Sequence, residues 1–86
     1  MNEQETYLTD DLWESAFLIA VGIPLIKTVP AGNQLRFIFS DGDGEATRQG
    51  RLWTDGSPAV PARALLKAWR FVHSTVARFH RGELAA

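Results

Sequence analysis

Three groups of residues in this 86-residue chain have types and spacing suited to chemistry: an alternating run of carboxylates, two histidines, and a line of basic side chains. Asp41-Gly42-Asp43-Gly44-Glu45 sets acids at alternate positions between glycines, an arrangement that lets carboxylates share a cation. As a calcium loop it lacks two requirements. Ala46 stands at the sixth position, where glycine is needed, and Leu52 at the twelfth, where a bidentate glutamate belongs. A turn that caps the following helix fits these residues better. His73 and His80 are two helical turns apart, but zinc takes three or four ligands, and Glu83 lies past the expected helix end. Both histidines are read as rim or surface side chains, and neither a metal nor a cofactor is expected.

Nucleophilic chemistry finds no better footing. Ser74 follows His73 directly, and neighbours on a helix point about 100° apart, which does not make a nucleophile and its base. Ser15, Ser40 and Ser57 lack the strained-turn setting of a nucleophile elbow. Asp10 and Asp11 are adjacent carboxylates, but capping of a helix accounts for them. No glycine-rich loop leads into Lys-Ser or Lys-Thr, as a phosphate cradle requires. With no catalytic residue to name, the chain reads as a non-enzyme.

The basic residues carry the useful lead. At the helical period, Arg63, Lys67, Arg70, Arg78 and Arg81 fall on one side of a helix, opposite an apolar stripe of Leu65, Trp69, Val72, Val76 and Phe79. Such a ridge can follow a phosphate backbone or an acidic protein surface. Phe71 flanks it, positioned to stack on a base or anchor an interface. A solvated outer face, or pairing with acids elsewhere in the same molecule, accounts for the same pattern.

Charge is segregated along the chain although the net value is only −1. Residues 1–47 hold eight acids against Lys27 and Arg36, and residues 48–81 hold seven bases against Asp55. Docking between copies is therefore electrostatically open, and a two-stranded hairpin would leave edges for a homodimer to cover. The longest apolar run, Ala16 to Leu25, is broken by Gly22 and Pro24 and is too short to span a bilayer. No membrane helix or signal peptide is expected, and a cytoplasmic location follows by default. The chain contains no cysteine, so packing rather than disulfides or Cys-bound zinc must hold the fold.

The elements that would position these residues form one small α+β domain. Thr9 is the expected cap of a helix over residues 10–21, with Asp10 and Asp11 facing the positive end of its dipole, Leu8 and Trp13 at staple spacing and a stop at Gly22 and Pro24. Leu25 to Val29 and the alternating Leu35 to Phe39 read as a β-hairpin turning through Pro30-Ala31-Gly32-Asn33. Leu35, Phe37 and Phe39 share its inner face, and Ile38 is left on the outer one. A short helix is expected over Glu45 to Thr54 with Ala46, Gly50 and Trp53 inward, and a long one over Ala62 to Arg81 opened by Pro61. The expected order is helix, hairpin, short helix, long helix (αββαα). The helices should pack on one hairpin face in a domain over residues 7–81, between flexible ends at 1–6 and 82–86.

Thr9-Asp10-Asp11-Leu12, Gly22-Ile23-Pro24-Leu25, Leu35-Arg36-Phe37-Ile38-Phe39, Trp53 near Gly56, and Pro61-Ala62-Arg63 to Lys67 together resemble an uncharacterised domain family of short bacterial and phage proteins. The resemblance spans about residues 7–76. It implies the same αββαα order and a mobile-element or accessory-gene setting, and it brings no activity or site residue with it.

Overall fold

Leu35, Phe37 and Phe39 are buried, while Arg36, Ile38 and Ser40 alternate with them and are only partly covered. That alternation orients the whole domain, because the helices lie against the Phe37 side. The computed structural model describes residues 5–83. Its elements are β1 (Thr6–Thr9), α1 (Leu12–Ala20), β2 (Leu25–Ala31), β3 (Gln34–Ser40), α2 (Glu45–Thr54) and α3 (Ala62–His80). The expected α+β order is present, preceded by a strand that the sequence reading did not contain.

That strand changes the sheet. β1 pairs antiparallel with β3, Thr6 opposite Ser40 and Thr9 opposite Phe37, so the sheet has three strands in the order β1-β3-β2. One edge of the hairpin is thereby closed within the molecule. The β2–β3 turn is tighter than expected: Pro30 and Ala31 belong to β2, leaving Gly32-Asn33 as the loop. Pro30 is tolerated there because β2 is an edge strand. A bulge between Leu25 and Lys27 carries the extra residue Ile26.

The cap of α1 also differs from expectation. Asp11, not Thr9, is the N-cap, its Oδ1 accepting the Glu14 backbone N–H at 3.0 Å. Thr9 instead ends β1 and accepts the Asp11 N–H through its hydroxyl oxygen at 3.0 Å. The chain must leave β1 before it can enter a helix, which moves the helix start to Leu12. With Asp11 as the cap, Leu8 and Trp13 no longer stand at staple positions, and they are 50% and 42% exposed.

The core joins Ala16, Phe17 and Leu18 of α1 to Leu35, Phe37 and Phe39 of β3, Ala46 of α2, and Ala68 and Val72 of α3. Phe17, Phe37 and Phe39 are fully buried, each stabilising the fold by roughly 1.5–3 kcal/mol. α1 is buried along most of its length because α3, α2 and the sheet surround it. α2 meets α1 where Trp53 stacks on Phe17 at 5.4 Å. α3 meets α1 where Trp69 stacks on Trp13, centroids 3.8 Å apart and planes 5° from parallel.

Residues 1–4 and 84–86, part of the ends expected to be flexible, lie outside the described residues. Of the remainder, Thr6 starts β1, while Gly82 and Glu83 close α3: the Gly82 N–H donates to the Phe79 carbonyl and the Glu83 N–H to that of Arg78. This is a Schellman closure, and Gly82 takes the positive φ (76°) it requires.

Candidate functional site

The outer face of α3 is built by the inner one. Val72, Ala68 and Thr75 are buried, and Leu65, Trp69, Val76 and Phe79 pack at the core margin, so the opposite side of the helix must face solvent. Arg63, Lys67, Arg70, Phe71, Arg78 and Arg81 are all exposed there, as the helical period predicts. At about 1.5 Å of rise per residue, Arg63 and Lys67 are separated by roughly 6 Å along the axis, and Lys67 and Arg70 by roughly 4.5 Å.

Two ion pairs occur among the described residues, and one touches the ridge. Arg81 Nε lies 2.6 Å from Glu83 Oε2, an exposed contact that pulls the Glu83 carboxyl below its ordinary value. The other joins Arg48 to Glu45 at 2.5 Å. Hydrogen bonds from Arg48 and then Gln49 hold the Glu45 carboxyl down at about 2. The acids of α1 do not reach the ridge. Asp11 is occupied as a cap, and Glu14 is buried, accepting from the Tyr7 hydroxyl at 2.7 Å and the Thr9 hydroxyl at 2.6 Å.

Two depressions adjoin the ridge. One of about 390 Å³ lies between α1 and α3, lined by Ile19, Ala20, Ala64, Lys67, Ala68 and Phe71. The second, about 400 Å³, is lined by Arg63, Leu66, Lys67 and Arg70. Lys67 borders both. Leu66 was absent from the sequence reading although its helical angle beside the ridge makes it legible; Ile19 and Ala20 carry no such signal, because only the packing of α1 on α3 brings them to Phe71.

The carboxylate run forms a turn and a cap. Asp41 is buried; its Oδ1 accepts the Thr47 backbone N–H at 3.0 Å and its Oδ2 accepts the Thr47 hydroxyl. Asp43 Oδ1 accepts the Glu45 N–H at 3.0 Å. A wider cleft of about 500 Å³ adjoins this turn, between the α1–β2 loop and the start of α2. His73 is exposed and tilts against Trp69 at 6.0 Å, and His80 Nε2 donates to the Asn33 carbonyl at 3.2 Å, so the structure does not bring the two rings together. Among the described residues, no three His, Asp or Glu side chains converge on a point that could hold a metal ion. No helix among them is long and apolar enough to cross a membrane.

Comparison with protein-family models, with curated proteins and with solved structures returned no match to this chain.

Proposed function

We propose that the protein is a non-enzymatic accessory protein that binds nucleic acid through the outer face of α3, in a cytoplasmic setting. The observation that carries this reading is the line of Arg63, Lys67, Arg70 and Arg78, exposed along one helix face and engaged in no ion pair among the described residues. A cation held in an internal pair must give up that partner before it can meet a phosphate; these four have no such pair to break among the described residues. With a net charge of −1, attraction comes from the ridge itself and not from the molecule as a whole.

Fluorescence anisotropy with labelled duplex DNA, single-stranded DNA and RNA, at low and near-physiological salt, tests the reading. Four phosphate contacts give a slope in log K against log salt of about −3.6 on duplex DNA and about −2.8 on a single strand. Charge reversal at Lys67 and Arg70 together should abolish binding in a folded protein. Absence of binding even at low salt removes the proposal.

A second reading, docking of a protein partner or a second copy, is favoured by the sheet face that the helices leave uncovered. Leu8 sits opposite Ile38 in the β1–β3 register, and Leu8 and Ile26 are each 50% exposed. Lys27 and Arg36 border that apolar strip, so an acidic partner suits it better than an identical basic face would. Sedimentation across the micromolar range distinguishes these: a concentration-independent monomer excludes the homodimer.

A further inference from the structure

Phe71 and Leu66 are 49% and 53% exposed on opposite sides of the cation line. Large apolar side chains this open contribute little to the fold. The depression beside Phe71 has a floor of Ile19, Ala20, Ala64 and Ala68, with Lys67 as its single charged wall. Cations and a half-exposed aromatic therefore share one short stretch of surface, from Arg63 to Phe71.

Duplex and single strand differ in what they offer such a surface. A duplex keeps its base faces inside the stack, so a helix lying along its backbone meets sugars and phosphates and leaves Phe71 without a partner. A single strand presents repeating phosphates together with flat, apolar base faces, and base–aromatic stacking tolerates any sequence. Arg63, Lys67 and Arg70 recur every three to four residues, a regular series suited to a regularly charged strand. We infer that the α1–α3 depression is a base-stacking site for single-stranded nucleic acid. Phe71 is its stacking side chain, and Lys67 and Arg70 hold the adjoining phosphates. This inference rests on the nucleic-acid reading of α3 and adds the kind of strand bound.

The experiment compares four labelled probes: an oligothymidylate, an abasic strand of the same length, a duplex, and polyglutamate. Phe71→Ala should weaken oligothymidylate binding about tenfold, as expected for one lost stacking contact, and leave the abasic strand and the duplex unchanged. Phe71→Trp should keep the affinity, and both variants should remain folded because Phe71 is half-exposed and lies outside the core. Reversal of Lys67 and Arg70 should weaken all nucleic-acid probes alike. If Phe71→Ala is silent while charge reversal still abolishes binding, the stacking site is overturned and the nucleic-acid reading stands. Polyglutamate binding as tight as oligothymidylate, and equally sensitive to Phe71→Ala, reassigns the site to an acidic protein. Failure of every nucleic-acid probe to bind overturns both readings.

Discussion

The Tyr7 hydroxyl donates to Glu14 Oε2 at 2.7 Å, and Gly50 of α2 passes so close to this pair that its hydrogen is the only side chain that fits. A Cβ at position 50 would stand 2.7 Å from Tyr7 Cζ and 3.1 Å from Glu14 Oε2. β1, α1 and α2 therefore converge on one polar contact. Burying a carboxylate is costly unless its oxygens are satisfied, and here the Tyr7 and Thr9 hydroxyls supply a donor to each.

Gly50→Ala should destabilise the protein by up to about 2 kcal/mol in chemical denaturation. Alanine gains about 1 kcal/mol of helix propensity over glycine, but overpacking against an anchored ring costs about 1–3 kcal/mol. In a Tyr7→Ala background the same change should be neutral or stabilising, because the obstructing ring is gone. Additive costs in the double-mutant cycle would refute the contact.

Tyr7 is the only tyrosine, so phenolate absorbance reports it alone. Burial, followed by the hydrogen bond and charge of Glu14, pushes its pKa from 10.0 up to about 12. The neutral phenol is thus favoured by the fold. Its stabilising contribution is complete below pH 10.0 and is lost as pH rises through about 12. Titration of the native protein should show the raised midpoint, denatured protein should return to about 10, and Glu14→Gln should lower the native value.

Trp13→Ala should cost about 2 kcal/mol, less than the 3–5 kcal/mol of a fully buried tryptophan because residue 13 is 42% exposed. Part of that loss is the parallel stack on Trp69, worth about 0.5–1.5 kcal/mol beyond area burial. Trp13→Phe should recover part of the stability. A melting temperature unmoved by Trp13→Ala would mean that the stack does not hold α1 to α3.

Reversing Lys67 and Arg70 to glutamate should change stability by no more than about 0.5 kcal/mol, since both are exposed and neither belongs to an ion pair or a cap among the described residues. Urea unfolding checks this. A large loss would show that the ridge is structural, and any binding defect of the variant would then say nothing about recognition.

Strong local periodicity made much of this legible. α2 begins and ends at the residues read from the sequence, and the Leu35, Phe37, Phe39 face and the α3 stripe follow their periods of two and 3.6. The five ridge cations and Phe71 beside them lie on the exposed side for the same reason. β1 escaped because four residues carry almost no alternation, and its pairing partner lies far along the chain. Thr9 and Asp11 are both competent caps, and only the strand ending at Thr9 decides between them. The depression beside Phe71 needs residues from two helices, and no spacing within either one announces it.

The sheet order β1-β3-β2 sets an order of assembly. β2 and β3 close over two residues, whereas Thr6 must wait for Ser40, with α1 and the whole hairpin between them. Closing so long a loop is entropically slower than forming local contacts. β1 should dock after the hairpin and be the first strand to leave it. Its departure takes both hydroxyl donors from Glu14 and strands a carboxylate in the interior. The shortest strand thus acts as the latch of the domain, and fraying there would spread inward through α1 instead of stopping at the edge.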